Sequence, residues 1–207
     1  DVIDGAKIRR GKASSSNKFG AAISVLTGDL ILSAVINDCV KKKNYPLLDL
    51  ISTSLTNLCE GEIIQNTTTI NDLNIAKYEK IAQLKTSTLI VSGAISSLVS
   101  HDIPEEDLTK IKAFANDYGI AYQMIDDLKD LLPTSITGKD QFNDIDSLSP
   151  SLTLLVYKNL NGNLKANKSE IIKNGLISKV SDFSLANFLL RIEVFFTKSV
   201  APKPLLI

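Results

Sequence analysis

The run Gln123-Met-Ile-Asp126-Asp127-Leu-Lys-Asp130 places oxygen-bearing side chains where they could act together. On a helix, Asp126 and Asp130 stand one turn apart and Gln123 lies a turn earlier on the same side. Two carboxylates four residues apart repel unless a cation or basic group lies between them. Hard carboxylate oxygens suit Mg²⁺ completed by water and phosphate oxygens, so the spacing points to magnesium with a phosphorylated ligand. The pattern alone is only suggestive: with aspartate at 16 of 207 positions, three fixed aspartates arise by chance in roughly one such sequence in ten. A solvated acidic helix face is the competing reading. Against it, Tyr122, Ile125 and Leu128 are expected to be buried around the acids.

A second acidic element opens the chain, Asp1-Val-Ile-Asp4, followed about a helical turn later by Arg9-Arg10, whose forked donors bind phosphate oxygens well. Lys85-Thr86 interrupts an apolar helix face, and Lys139 follows the Asp126–Asp130 element in a glycine-containing loop. A mobile ammonium and a hydroxyl donor fit the same phosphorylated ligand. Singly, each of these is an ordinary surface feature. The two cysteines, Cys39 and Cys59, sit alone in apolar helix-like runs and read as buried thiols of a reducing compartment, too few for a zinc site. A single histidine, His101, at a helix-to-loop transition leaves little room for Ser-His-Asp or Cys-His hydrolysis.

Helices must position these groups. Apolar residues recur at three- and four-residue intervals almost throughout, and period-two alternation is scarce, which predicts an all-helical chain. One helix is expected from Phe19 to about Val40, ending in the basic turn Lys41-Lys42-Lys43. A second should run from Pro46 to about Asn66, and a third from a cap at Asn71 or Asp72 to about Ser100. A fourth starts at Pro104-Glu105-Glu106-Asp107 and continues to Leu132. After a polar loop from Thr134 to Ser149, Leu152 to Tyr157 is apolar, and a last helical pair is expected at 170–180 and 184–196. Composition sets the frame: 44% hydrophobic residues and 23 basic against 23 acidic groups describe one soluble globular domain over 1–207, with no global field favouring nucleic acid. No run of ~18 uninterrupted apolar residues marks a transmembrane segment. The chain begins without methionine, inside what reads as a helical pattern, so upstream residues are expected to be missing.

In this order and at these spacings, the segments resemble the trans-isoprenyl diphosphate synthase (polyprenyl synthetase) family. The resemblance rests on Asp1-Val-Ile-Asp4-Gly-Ala-Lys-Ile-Arg9-Arg10-Gly11-Lys12, Gly28-Asp29-Leu-Ile-Leu32, Glu60-Gly61-Glu62-Ile-Ile-Gln65, Lys85-Thr86, Gly119-Ile-Ala-Tyr-Gln123, Asp126-Asp127-Leu-Lys-Asp130 and Gly138-Lys139. It implies an all-α, barrel-like helical bundle of the isoprenoid synthase type, here lacking its N-terminal part. Two aspartate-rich motifs on facing helices would hold the diphosphate of an allylic substrate through Mg²⁺. The implied reaction is prenyl transfer: diphosphate departs from the allylic substrate (geranyl, farnesyl or geranylgeranyl diphosphate), isopentenyl diphosphate attacks, and a proton is lost.

Carried over by position, the metal ligands would be Asp1, Asp4, Asp126 and Asp130. Lys85, Asp126 and Asp127 would form the catalytic centre. Arg9 would bind the allylic diphosphate and Arg10 isopentenyl diphosphate, with Lys85, Thr86, Gln123 and Lys139 completing the allylic site. Glu60-Gly-Glu62 and the approach to Lys85-Thr86 lean toward medium- or long-chain products. The resemblance further implies a homodimer or heterodimer, with Leu89 to Val99 as packing surface or internal core, and a cytoplasmic enzyme unless a targeting segment precedes it. Where the family shows Gly-Lys-x-Thr-Leu-Pro, this chain reads Leu148-Ser149-Pro150-Ser151-Leu152-Thr153, so Ser149 replaces a phosphate-facing lysine. That departure keeps a second reading open, a non-catalytic subunit of a heteromeric synthase. A cyclising terpene synthase fits less well, because of Arg9-Arg10 and the two similar aspartate motifs.

Overall fold

The computed structural model describes residues 2, 3, 5, 7–9, 12–99, 101–132 and 143–159. Within them the chain is helical save for one short ribbon. β1 (Ile8–Arg9) and β2 (Lys12–Ala13) pair antiparallel, with Ile8 opposite Ala13, in place of the helical pattern expected for the opening segment. Ser14 ends the ribbon through its N–H to the Lys7 carbonyl (2.8 Å) and caps α1 (Ser15–Phe19), its hydroxyl accepting from Asn17 N–H. Gly20 (φ 85°), in a conformation that favours glycine, separates α1 from α2 (Ala21–Lys41).

The Asp38–Lys42 ion pair (2.9 Å) and a left-handed Lys43 close α2, so the lysine run is a solvated helix end, as its position at the negative end of the dipole suggests. Asn44 then caps α3 (Tyr45–Thr67) with Pro46 in its first turn. The next helix starts later than expected. Asp72 is taken by the Thr69 hydroxyl (2.6 Å), and Asn74 caps α4 (Ile75–Ala82) through Lys77 N–H. From there the chain passes through one π-helical segment, Gln83–Ser87, into α5 (Thr88–Ile95), which stops short of the expected end near Ser100. α6 (Glu105–Lys129) carries the acids of its first turn as predicted, and α7 (Asn143–Asp146) and α8 (Leu152–Asn159) follow. The expected pair at 170–180 and 184–196 lies outside the described residues.

The core gathers where α4, α6 and α8 meet: Tyr78, Met124, Leu131, Leu152 and Leu154 are nearly fully buried. The π segment packs against α3 on one side and α6 on the other, and two glycines permit it. A Cβ at Gly61 would stand 2.7 Å from Leu84 Cβ and 2.9 Å from Lys85 Cγ; one at Gly119 would stand 2.5 Å from Ser87 Cα. Ser87, fully buried, donates its hydroxyl to the Asn116 carbonyl at 2.8 Å.

Three expectations fail on burial. Cys39 is buried, but Cys59 is exposed on α3. Tyr122 (48% exposed) and Ile125 (42%) face outward, and only Leu128 of the three flanking residues is partly buried. The inward stripe of α6 is Ile120, Met124 and Asp127, continued by Leu131 just past its end in a 4-3-4 spacing, so one of the aspartates occupies a core position. Finally, α2 is long and apolar enough to cross a bilayer, with a mean hydropathy of 1.6 over its most apolar window, although Asp29 interrupts it and no uninterrupted apolar run marks it.

Candidate active site

Four elements converge on the π segment. A π segment inserts one residue into the helical ladder and is frequent at functional sites. Here it delivers Lys85 and Thr86 in opposite directions. Lys85 turns to α3: its ammonium pairs with Glu62 Oε2 at 2.6 Å and donates to Gln65 Oε1. Burial alone would push the Glu62 carboxyl up, but the Lys85 ammonium and the Asn66 amide outweigh it and hold it below the usual value. Gln65 spends its other amide end on the segment before α8, in long contacts to Ser149 Oγ (3.4 Å) and the Pro150 carbonyl (3.3 Å). Ser149 therefore sits beside the Lys85 cluster.

Thr86 turns to α6 and donates its hydroxyl to Gln123 Oε1. Gln123 Nε2 donates in turn to Asp127 Oδ1 (2.7 Å), and Leu152 N–H donates to Asp127 Oδ2 (2.8 Å). Asp127 is 7% exposed, and its backbone carbonyl also accepts from the Thr153 hydroxyl at 3.0 Å. Burial pushes its carboxyl up to about 6, against the opposing help of the Leu152 N–H and Gln123. The Tyr78 hydroxyl lacks a hydrogen bond of good geometry, yet it lies near enough to Asp127 to favour that charge, and its own ionisation is pushed well up by burial and by Asp127.

The other two acids of the motif are more open. Asp126 pairs with Lys129 (3.1 Å), whose ammonium also lies over the Tyr122 ring, and Asp130 Oδ2 accepts the Asp144 N–H at 3.2 Å. The structure thus links Thr86, Gln123 and Asp127 by hydrogen bonds, turns Lys85 the other way to Glu62 and Gln65, and leaves Asp126 and Asp130 on the more open side of the same motif. Asp1, Asp4, Arg10 and Lys139 lie outside the described residues, and Arg9 is placed only as β1 backbone. Among the described residues no three metal-ligating side chains cluster. Glu62 and Gln65 stand in a segment that carries the family resemblance, but the resemblance alone does not pair them with Lys85. Their spacing of three on a helix, facing a lone lysine in an apolar run, was the available signal.

An all-α bundle in which a lysine–threonine pair bridges two helices, one of them acid-bearing, defines a protein of the isoprenoid synthase fold. Solved structures agree: a polyprenyl synthase of Caulobacter crescentus, complexed with calcium and isoprenyl diphosphate, superposes with a TM-score of 0.81 at 23% identity, covering 96% of this chain and 66% of that one. A heptaprenyl diphosphate synthase of Staphylococcus aureus gives 0.78 at 24% identity, covering 98% and 69%. The polyprenyl synthetase family profile matches residues 1–182, and the chain belongs to that family. It is 31% identical to an octaprenyl diphosphate synthase of Escherichia coli over 159 residues, 75% of this chain and 49% of the relative. It is 32% identical to a prenyl transferase of Cyanidium caldarium over 147 residues, 70% of this chain and 46% of the relative. The chain spans about half the length of these relatives.

Proposed function

We propose that the protein is a polyprenyl diphosphate synthase that condenses isopentenyl diphosphate with an allylic diphosphate head to tail, making a medium- or long-chain product. The observation that carries this reading is the π segment itself, which turns Lys85 to Glu62 and Gln65 of α3 and Thr86 to Gln123 of the acid-bearing helix α6. Relatives named for octaprenyl, hexaprenyl and solanesyl diphosphate support the longer products.

Asp126 and Asp130 offer hard carboxylate oxygens one turn apart, a donor chemistry that fits Mg²⁺, and with Asp1 and Asp4 they would hold it. Bound there, Mg²⁺ neutralises diphosphate charge and so favours its departure. The protein's own groups do the rest. Lys85 is held at the site by Glu62 and Gln65, and its ammonium, with Arg9, Arg10 and Lys139, binds phosphate oxygens. As the allylic C–O bond breaks, its electron pair leaves with diphosphate. The π electrons of isopentenyl diphosphate form the new C–C bond, and a proton is lost to the released diphosphate. Asp127, buried with both oxygens engaged, fixes the junction of α6 with α8. A dimer is part of this reading, as is a cytoplasmic setting.

The test is elongation by the complete product of the gene with Mg²⁺, isopentenyl diphosphate and farnesyl diphosphate, with Asp126→Ala beside it. Extracted products of defined length that disappear in the variant support the assignment. A folded protein that elongates no allylic primer overturns it and leaves the alternative of a non-catalytic subunit, which Ser149 in place of lysine motivates.

A further inference from the structure

The chain of hydrogen bonds from α8 to the π segment has a direction, and one residue sets it. A backbone N–H can only donate, so the Asp127 Oδ2 that meets Leu152 N–H is an acceptor. The other oxygen of an ionised carboxyl likewise accepts and never donates. Gln123, 2.7 Å away, must therefore present its NH₂ to Asp127 and its carbonyl to the far side. That carbonyl meets Thr86 Oγ. Thr86 has one hydroxyl hydrogen, and this contact consumes it.

We propose that Asp127 is a positioning residue that fixes the amide orientation of Gln123 and, through it, points the Thr86 hydroxyl hydrogen into the protein, so that Thr86 offers the site lone pairs and no donor. This rests on the prenyl-transfer reading for its consequence, though not for its geometry. It also reverses the expectation that threonine serves as a hydroxyl donor to the substrate. An acceptor there is matched to a ligand region that is electron-poor or carries hydrogens, and mismatched to a phosphate oxygen.

Asp127→Asn tests the direction. The introduced asparagine can keep its carbonyl on Leu152 N–H, but its NH₂ then faces Gln123, which must flip and donate to Thr86. The Thr86 hydrogen is released toward the site. Adding Gln123→Glu restores the original order, since the introduced glutamate accepts from the asparagine amide on one oxygen and from Thr86 on the other. In the gene's complete product, D127N should lower kcat by about 30-fold or more with KM for the allylic diphosphate within about 3-fold, and D127N/Q123E should recover at least about tenfold of that loss. Urea unfolding of the wild type, both single variants and the double variant supplies a readout that needs no activity: the double variant should be more stable than the two single effects predict when added. Wild-type kcat in D127N, or a double variant no better than the single in both measurements, overturns the proposal. A D127N that does not fold but is rescued by Q123E supports it, and a double variant that also fails to fold overturns it. If the wild type elongates no primer, the prenyl-transfer reading falls, and the unfolding cycle still decides the geometry.

Discussion

Helices α2 and α6 invert what their compositions lead one to expect. α2 is the more apolar, yet it buries only Cys39 and leaves Leu26, Leu30 and Ile31 more than half exposed. α6 is mixed in character, yet it buries two alanines, a glycine and an aspartate along with Ile120 and Met124. Hydropathy measures what a helix would gain by burial. Whether it is buried depends on a neighbour that fits. On α6 the fit is made by small residues that let the π segment approach and by a carboxylate whose oxygens both find donors. α2 touches α1 and α3, and the rest of its surface has no such counterpart among the described residues.

This contrast can be broken most severely at Gly119. In Gly119→Ala the added methyl group would lie 2.5 Å from Ser87 Cα and 2.6 Å from its Oγ, and backbone cannot yield as a side-chain tip can. Urea unfolding should show a loss of more than ~3 kcal/mol. An unchanged midpoint would remove the close approach as the reason for glycine.

The second test concerns the buried acid. The Asp127 carboxyl, raised from 3.8 to about 6, binds its proton more tightly in the folded than in the unfolded chain. Between pH ~4 and ~6 the folded state holds more protons, so the contribution of this group to stability falls as pH rises through that window, by on the order of 2 kcal/mol. Denaturant unfolding of the wild type should lose this amount relative to D127N on going from pH 4 to pH 7. A constant difference between the two proteins would show that Asp127 is not desolvated.

A smaller gain is expected before α8. Leu148 is in the left-handed region (φ 54°) at the position where the family pattern has glycine, and it is 45% exposed, so little burial would be sacrificed. Leu148→Gly should stabilise the chain by about 1 kcal/mol in thermal or urea unfolding; destabilisation would show that the leucine side chain holds the loop. The least effect belongs to α2. Leu30→Lys, at a residue 70% exposed, should alter the unfolding free energy of the isolated chain by less than ~0.5 kcal/mol. A large loss at high dilution would mean that α2 is packed in a way its exposure does not reveal.

The helices themselves are legible because apolar spacing, Pro46, Pro104 and the lysines closing α2 are local signals with local causes. Boundaries slip where side chains compete: Asp72 is consumed by Thr69, and the cap passes to Asn74. The π segment is invisible in sequence, since no residue type marks the insertion of one residue into a helix whose neighbours are glycines far away along the chain. Lys85, Thr86 and Gln123 emerge from their places in the helices and from the family resemblance, but Glu62 and Gln65 are not legible as the partners of Lys85. Tyr122 and Ile125 mislead because apolarity next to the acids suggests burial, whereas the 4-3-4 spacing through Asp127 already marks the inward face.

The π segment has a mechanical consequence. Lys85 addresses α3, while Thr86 and Ser87, the next two residues, address α6. Each residue advances an α-helix by about 100°, so these assignments hold only while the extra residue is accommodated. Losing one residue between Gln83 and Ser87 would remove the insertion and restore an α-helical ladder: α5 would keep its phase, while the side chains within the segment would hand their contacts to their neighbours. Glu62 would then face a residue other than lysine, and the carbonyl of Gln123 would face one without the threonine hydroxyl.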